Sequence, residues 1–400
     1  MVKIAVPKEA DPNEGRVAAT PETVKRFVAL GAEVVVQSAA GEASRIPDDA
    51  FTAEGATVAK DAKATVKDAD IVLKVRRPEA GEIKTYRKGA MVGGTMDPYG
   101  HEDVVNAMGD AGLTAVAMEF MPRITRAQVM DVLSSQANLA GYQSVIDAAE
   151  VYDRALPMMM TAAGTVPAAK VFVMGAGVAG LQAIATARRL GAVVTATDVR
   201  AAAGEQVESL GAKFIMTEAL KDASGEGGYA RELTDDEKAS QAELVAGHIA
   251  KQDIVITTAL IPGRPAPRLV TREMIDSMKP GSVLVDLAVE RGGNVEGAVP
   301  GALAEVGPAT IVGYLNVPGR ISATASVLYA KNLYAFIETL IDKETKALKI
   351  DWEDELVSAT VLTRDGAVVH PNFAAKADEP APEPDAAEPS DDTPDEEASS

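Results

Sequence analysis

The chain has 400 residues, 47% of them hydrophobic, which is long enough for two substantial cores. Its formal net charge of −20 argues against a nucleic-acid partner, because binding phosphates requires a basic face. The sequence has no cysteine and three scattered histidines, so disulfides and thiol catalysis are excluded and no metal site is predicted.

No membrane-spanning segment is predicted. The first residues form a short apolar run followed by charge rather than a secretory signal. The charge-free stretches 155–169 and 171–187 are split by Lys170, and each is shorter than the roughly 18 apolar residues that a membrane helix needs. We therefore expect no direct membrane insertion and a reducing, soluble compartment.

The first 120 residues alternate short apolar runs with helical patterns, which is typical of a parallel sheet covered by helices. Strands are predicted at 3–6, 33–37, 71–75, 90–93 and 114–118, and helices at 21–30, 48–55 and 102–110.

The segment 119–138 carries a polar cluster. Thr125 followed by Gln128 has the spacing of a capping box, so a helix is predicted to begin at about 126, with Gln128 and Asp131 on one face. Two interpretations remain open. The Gln128 side chain satisfies a helix-end amide, or Arg123, Gln128 and Asp131 point into a cleft and bind a ligand.

Residues 171–198 contain the elements of a dinucleotide site in the expected order. An apolar run ends at Gly175, which allows a tight turn; Gly177 lets the backbone approach a pyrophosphate, and Gly180 lets the next helix pack closely. Amides at that helix start would hold the phosphates. Asp198 follows at about the 20-residue spacing of a ribose-binding carboxylate, which favours NAD over NADP.

A second interpretation of this region remains open. The glycines could serve packing alone, with Asp198 as an ordinary helix cap. Arg200, two residues beyond the acid, could bind a phosphate instead.

Lys170 opens a second alternating series, with strands predicted at 170–174, 193–197, 213–216, 253–257, 282–286 and 310–313. The segment 217–233 interrupts it and exceeds the about 12–15 residues usual for a loop. Its glycines, Gly228 among them, supply conformational freedom, and Tyr229 supplies a planar face with a hydroxyl. The segment is interpreted either as a lid over a bound nucleotide or as a surface insertion.

Long helical patterns near 136–155 and 321–341 flank the second series, and the latter has one broad apolar face. Such helices would carry the chain between two domains and back. The predicted fold is α/β, with two Rossmann-like domains that contain parallel sheets, the first discontinuous, linked by long helices. The predicted domains are 1–138 plus 325–374, and 139–324.

The last residues have a different composition. Between Asp378 and Glu397 there are ten acidic residues and five prolines without an aromatic residue. Such a segment cannot bury enough apolar surface to order itself. We predict a disordered acidic tail at 375–400, with a docking arm as the alternative.

Six segments of the chain are similar to motifs of a known family. The segments are Glu-Phe-Met-Pro-Arg-Ile-Thr-Arg-Ala-Gln (119–128), Ser-Ser-Gln-Ala-Asn-Leu-Ala-Gly-Tyr (134–142), Met-Met-Met-Thr-Ala-Ala-Gly-Thr-Val-Pro (158–167), Thr-Asp-Val-Arg (197–200), Thr-Thr-Ala-Leu-Ile-Pro-Gly (257–263) and Asp-Leu-Ala-Val-Glu-Arg-Gly-Gly (286–293). They resemble the NAD-binding component, domain I, of proton-translocating NAD(P) transhydrogenases, and the resemblance extends to about Phe373. Alanine dehydrogenases share the architecture and several motifs.

The resemblance implies an NAD(H)-binding subunit that passes a hydride directly to NADP+ on a partner domain, coupled to proton translocation by membrane subunits. It also implies membrane-spanning and NADP(H)-binding partner subunits, a homodimer, and a cytoplasmic, peripheral location on the inner membrane. Hydride transfer between two nicotinamides needs close placement and exclusion of water rather than an acid or base.

The resemblance also implies roles for individual residues. Arg123, Gln128 and Asp131 would position the nicotinamide and its ribose, and with Tyr229 they are the candidate catalytic residues. The candidate cofactor-binding residues are Arg123, Ile124, Thr125, Arg126, Gln128, Asp131, Ser134, Gly175, Gly177, Val178, Gly180, Asp198, Val199, Arg200, Gly228, Tyr229, Gln241 and Leu260.

The alternative is an NAD-dependent amino-acid dehydrogenase similar to alanine dehydrogenase. That reaction requires a proton acceptor, a role resembling that of a histidine in the loop after the fourth predicted strand. Here the loop 93–100 has no histidine, and the first one is His101.

The arginine and lysine that the dehydrogenases use for substrate are present as Arg16 and Lys74, which favours the alternative, although both could simply pair with Glu9 or Asp70. A third hypothesis is a non-catalytic, NAD-responsive module whose acidic tail docks on a partner.

Overall fold

The computed structural model describes residues 1–217, 234–261 and 263–377. The first domain is built on six strands: β1 (Lys3–Val6), β2 (Glu33–Gln37), β3 (Thr57–Ala59), β4 (Ile71–Arg76), β5 (Met91–Thr95) and β6 (Thr114–Ala117). All pair in parallel, in the order β3-β2-β1-β4-β5-β6. Every residue of β4 except Arg76 is buried, as expected for a sheet with both faces covered.

A second sheet follows a short exposed hairpin made of β7 (Met159–Thr161) and β8 (Gly164–Val166). Its strands are β9 (Lys170–Met174), β10 (Val193–Thr197), β11 (Lys213–Phe214), β12 (Ile254–Thr257), β13 (Ser282–Asp286), β14 (Leu303–Val306) and β15 (Ala309–Val312). Their order is β11-β10-β9-β12-β13-β15-β14, and β14 is antiparallel. A last hairpin pairs β16 (Thr363–Arg364) with β17 (Ala367–Val368).

Helices cover both sheets. They are α1 (Pro21–Ala29), α2 (Asp48–Ala53), α3 (Ala62–Val66), α4 (Ala80–Ile83), α5 (Glu102–Asp110), α6 (Val132–Val151), α7 (Val178–Arg189), α8 (Ala203–Ser209), α9 (Asp235–Ile249), α10 (Arg272–Asp276), α11 (Ser322–Thr339), α12 (Glu355–Thr360) and α13 (Pro371–Ala377). None of the helices in the described ranges is both long and apolar enough to cross a bilayer.

The two sheets share one topology. In each of them, the order in which strands are added reverses between the first strand and the fourth. That switch point lies between β1 and β4 in one sheet and between β9 and β12 in the other. Ligands of doubly wound folds bind in the crevice at this point, outside the carboxyl ends of the strands. The predicted α/β fold with two Rossmann-like, parallel-sheet domains is therefore confirmed.

The long helices connect the two sheets. Tyr329 and Leu333 of α11 and Leu356 of α12 are buried in the core of the first sheet, although they follow the second sheet in sequence. Helix α6 leaves the first core and buries Val145 and Ala148 in the second. We retain 1–138 plus 325–374 and 139–324 as proposed domain boundaries.

The predicted start of α6 is wrong. Residues Thr125–Met130 form a 3-10 helix without a side-chain cap, and α6 begins at Val132 with Asp131 as its N-cap. Asp131 accepts hydrogen bonds from the Ser134 amide at 2.8 Å and from the Ser134 hydroxyl at 2.5 Å. The short carboxylate of Asp131 therefore provides the cap that the spacing had assigned to Thr125 and Gln128.

Several short elements escaped the sequence analysis, namely β3, β14 and the two hairpins, because none of them is a continuous run of buried residues. The predicted lid at 217–233 and the tail at 375–400 lie almost wholly outside the described residues, and Gly228 and Tyr229 fall there.

Candidate functional site

A cleft lies between the carboxyl edges of the two sheets and contains a cavity of about 770 Å³. The first domain contributes residues around Glu9, Lys74 and Asp97, and α6 contributes Val132 to Ala140. Leu260, Leu287, Glu290, Tyr314 and Asn316 line it from the side of the second sheet.

The glycine turn after β9 has the geometry that a dinucleotide requires. Gly175 has φ +106°, which favours glycine, and a Cβ there would lie 2.4 Å from the Thr258 hydroxyl. A Cβ on Gly180 would lie 1.8 Å from the Gly175 carbonyl oxygen, so α7 can pack against the turn only with glycine at 180. A Cβ on Gly177 would meet no atom within 4 Å, so this backbone faces open space.

Helix α7 begins directly at this open space. Gly177 is its N-cap and provides no side-chain hydrogen bond, and the first turn holds no acidic residue. The amides of the first turn and the positive end of the helix are thus directed at this open space, which is the arrangement that binds anionic phosphates. Val178 is 43% exposed at the same edge.

Asp198 connects the glycine turn to the end of β10. Its carboxylate accepts a hydrogen bond from the Ala176 amide at 2.7 Å and three from Arg200, from the backbone amide and Nε at 2.9 Å each and from Nη2 at 3.1 Å. Although burial opposes ionisation, these hydrogen bonds hold the pKa of Asp198 below its ordinary value. Arg200 is therefore paired with Asp198 and half-buried, while Val199 between them is exposed.

Gln241 on α9 has an unsatisfied acceptor at this edge. Its Nε2 donates to the Thr197 hydroxyl at 2.9 Å, but its Oε1 is buried and accepts no hydrogen bond from the described residues. A buried acceptor without a donor is unfavourable by about 1–3 kcal/mol, so it fits a site that a ligand donor completes. The residues around the glycine turn therefore fit a dinucleotide.

The polar segment 123–134 lies at the junction with α6. Arg123, Thr125 and Gln128 are exposed, Ile124 packs against the first core, and Ser134 is half-buried. Leu133, next to Ser134, lines the cavity and is 52% exposed.

Arg126 has partners away from the cavity. It donates two hydrogen bonds to Asp354, at 2.7 and 2.9 Å, and contacts Glu355 at 3.2 Å, at the start of α12. This residue holds the segment to the surface of the first domain.

The two buried cations of the cleft are both paired with carboxylates. Arg16 binds both oxygens of Glu14 and donates to Gln136 at 2.9 Å. Lys74 lies 2.5 Å from a Glu82 oxygen and 3.7 Å from a Glu9 oxygen.

Asp70, one of the two partners expected for these cations, binds Arg87 instead, at 2.6 Å. Burial raises the pKa of Glu9 to about 7, against the attraction of Lys74. The cleft therefore has no unbalanced pair of cations at Arg16 and Lys74.

Sequence analysis missed the carboxylates Glu14, Glu82 and Glu119, and the amide of Asn316. The side-chain amide of Asn316 donates to Glu14 at 3.1 Å, and its backbone amide donates to Glu290 at 2.6 Å. The two-residue spacing between Glu14 and Arg16 could have indicated that these side chains form an ion pair. The Asn316 contact joins residues 302 positions apart, and no local pattern reports it.

Comparison with known proteins finds matches for both domains. The model of the alanine dehydrogenase/PNT N-terminal domain matches residues 5–140, and that of the C-terminal domain matches 144–371. The first segment of the NAD(P) transhydrogenase subunit alpha of Rhodospirillum rubrum is 55% identical over 377 residues, covering 92% of this chain and 98% of that protein.

Two further relatives have higher and lower sequence identity to this chain. A solved structure of transhydrogenase from Sinorhizobium meliloti has a TM-score of 0.84 at 66% identity, covering 92% of this chain and all (100%) of that one. An alanine dehydrogenase of Halomonas elongata is 30% identical over 384 residues, covering 92% of this chain and 95% of that protein.

Proposed function

Because this chain belongs to the alanine dehydrogenase/PNT family, we propose that it is the NAD(H)-binding subunit of a proton-translocating NAD(P) transhydrogenase. The observation that carries the proposal is the 55% identity to a transhydrogenase subunit through both domains, against 30% to an alanine dehydrogenase of similar coverage. The geometry of the cleft supports the same choice.

NAD(H) is held at the glycine turn and across the cleft. The amides at the start of α7 bind its phosphates, and the open space beside Gly177 receives them. Asp198, fixed by Ala176 and Arg200, presents a carboxylate that accepts ribose hydroxyls and repels a 2′-phosphate. Val178, Val199, Gln241 and Leu260 complete the walls. Gly228 and Tyr229, which were also predicted for this site, lie outside the described residues.

The nicotinamide end lies toward the first domain. Arg123, Gln128 and Asp131, with Ser134 nearby, orient the nicotinamide and its ribose, and Ile124 and Thr125 support them. When bound, NADH supplies a hydride. The residues of this chain bind and orient the coenzyme and exclude water, and no proton acceptor is required of them.

The cleft supports this function better than amino-acid oxidation. A dehydrogenase needs cations free to bind the substrate carboxylate, but Arg16 and Lys74 are neutralised by Glu14 and Glu82. The loop after β5 places Asp97 at the cavity. The nearest histidine, His101, also lines the cavity, but its Nε2 lies 2.9 Å from the Arg77 guanidinium and is not free to accept a proton.

The partners are an NADP(H)-binding subunit and membrane-spanning subunits, which hold this chain as a peripheral subunit on the cytoplasmic face of the inner membrane and couple the transfer to proton translocation. We also propose a homodimer. It is supported by the β7–β8 hairpin, in which Met159, Met160 and Val166 are 45%, 74% and 40% exposed.

The test is reconstitution. The purified chain with NADH and an NADP+ analogue should transfer hydride only after the NADP(H)-binding and membrane subunits are added. The same chain with L-alanine and NAD+ should produce no NADH; robust production would establish the dehydrogenase instead. Deleting 376–400 should leave hydride transfer nearly unchanged, whereas an NAD-responsive docking module would lose its activity.

A further inference from the structure

The loop 96–101 after β5, here called the clasp loop, bridges the two domains. The Asp97 carboxylate contacts the guanidinium of Arg291, which follows β13 of the second sheet. The Tyr99 ring lies against Gly263, where a Cβ would be 2.9 Å from the ring. The clasp loop therefore touches the carboxyl edge of the second sheet at two points.

A partly buried carboxylate holds this loop in place. Glu119, in the 3-10 helix after β6, accepts hydrogen bonds from the backbone amides of Met96, at 3.1 Å, and of Asp97. Asp97 itself adopts φ +47°, a conformation that needs support from its surroundings. The hydrogen bonds to Glu119 therefore fix the backbone at Met96 and at Asp97, the residue with positive φ.

We propose that Glu119 is a positioning residue, which holds the clasp loop against the second sheet and thereby keeps the nucleotide cleft closed. Its consequence for coenzyme binding rests on the proposed function, because a closed cleft matters only if the cleft binds NAD(H). The contact between the domains does not depend on that function.

Ionisation of Glu119 gives the clasp a dependence on pH. Burial raises the pKa of Glu119 to about 7, against the amide hydrogen bonds and the charge of Arg77. The amide hydrogen bonds of the closed clasp lower the pKa of Glu119. While Glu119 stays packed in its 3-10 helix, losing these hydrogen bonds raises its pKa further, so protonation favours the released loop. The contact between the clasp loop and the second sheet should therefore be stable at pH 8 and weaken as the pH falls below about 7.

Other charged and titratable groups surround Glu119 and the clasp loop. Arg77 lies 3.4 Å from Asp97 and 2.9 Å from His101. Burial and Arg77 lower the pKa of His101, whereas burial raises that of Glu119. The groups facing from the packed elements are Arg77, Asp97, His101, Arg291, Tyr329 and, stacked on Phe120, His370.

Distance measurement between the domains tests the clasp without any nucleotide. Since the chain has no cysteine, Lys60→Cys and Glu208→Cys place one exposed label on each domain. Pulsed electron paramagnetic resonance should give a narrow distribution of the distance between the two labels at pH 8. At pH 6 the distribution should be broader and centred at a longer distance. Glu119→Gln and Arg291→Gln should give the pH 6 distribution at both pH values.

His101→Gln is the matched control and should keep the pH response. The proposal is overturned if Glu119→Gln matches the parent at both pH values, or if His101→Gln abolishes the response. Should Glu119→Gln fail to fold, Arg291→Gln, at a partly exposed position, tests the contact between the domains, and the pH response of His101→Gln tests the role of Glu119.

The functional consequence is measured separately. The NADH dissociation constant of the parent should rise about fivefold from pH 8 to pH 6, and that of Glu119→Gln should not change. If NADH fails to bind at all, the proposed function falls while the distance measurement still tests the clasp.

Discussion

The guanidinium of Arg16 binds Glu14 through two parallel hydrogen bonds, with Nε–Oε1 and Nη2–Oε2 distances of 2.7 Å each. The Glu14 side chain is fully buried. Although burial opposes ionisation, the hydrogen bonds and charge of Arg16 keep the pKa of Glu14 below its ordinary value. This pair fixes the charge balance of the cleft wall.

Glu14→Gln should destabilise the fold by about 3–5 kcal/mol, because it leaves the Arg16 charge buried without its partner. Glu22→Gln is the control, since Glu22 and Arg26 form an exposed pair and the expected loss is within about 1 kcal/mol. Urea unfolding at pH 7 measures both. Equal losses would contradict the role given to the buried pair.

Gly180→Ala should weaken NADH binding at least about tenfold, because the new methyl collides with the Gly175 carbonyl and displaces α7 from the phosphate turn. Gly247→Ala is the control. It lies in α9 with no atom within 4 Å of an added Cβ, and it should stabilise the helix by about 0.5–1 kcal/mol. NADH fluorescence titration and thermal melting measure the two effects.

Gln128→Asn should leave NADH affinity within about 1–2 kcal/mol but sharply slow hydride transfer in the reconstituted complex, because a shortened amide no longer positions the nicotinamide. Gln206→Asn, at an exposed position on α8, should change neither quantity. Unchanged turnover in Gln128→Asn would remove this residue from the site.

Ionisation of Glu9 should reduce stability as the pH rises. Burial raises its pKa from 4.5 to about 7 in the folded chain, so between these values the folded state binds more protons than the unfolded state. The free energy of unfolding should then fall from pH 5 to pH 7.5, by on the order of 3 kcal/mol from this group. Urea unfolding of parent and Glu9→Gln across this range measures it, and a constant difference between the two would refute it.

Met160→Glu should shift the chain from dimer to monomer, because it places a charge in the exposed apolar hairpin. Val28→Glu, at a 38% exposed position on α1 of the first domain, is the matched control and should leave the oligomeric state unchanged. Sedimentation velocity at micromolar concentration distinguishes the species. A parent that is monomeric would rule out the homodimer.

Sequence patterns predict the structure best where interactions between neighbouring residues in the chain determine it. The strands 3–6, 33–37, 170–174, 193–197 and 282–286 have the predicted bounds, because buried parallel strands are continuous apolar runs. Gly175 and Gly180 were recognised because backbone conformation and close packing demand glycine there. The start of α6 was misplaced, since Thr125 and Asp131 both offer a cap and only packing selects one.

The doubly wound fold, the dinucleotide turn and the family follow from the order of residues alone, because each depends on residues close together in the chain. The charge state of the cleft follows only from tertiary packing. The partner of Asn316 is 302 positions away, and the clasp joins Asp97 to Arg291. Which carboxylate meets which cation depends on how two domains pack, and burial then shifts the pKa of Glu119 through that packing.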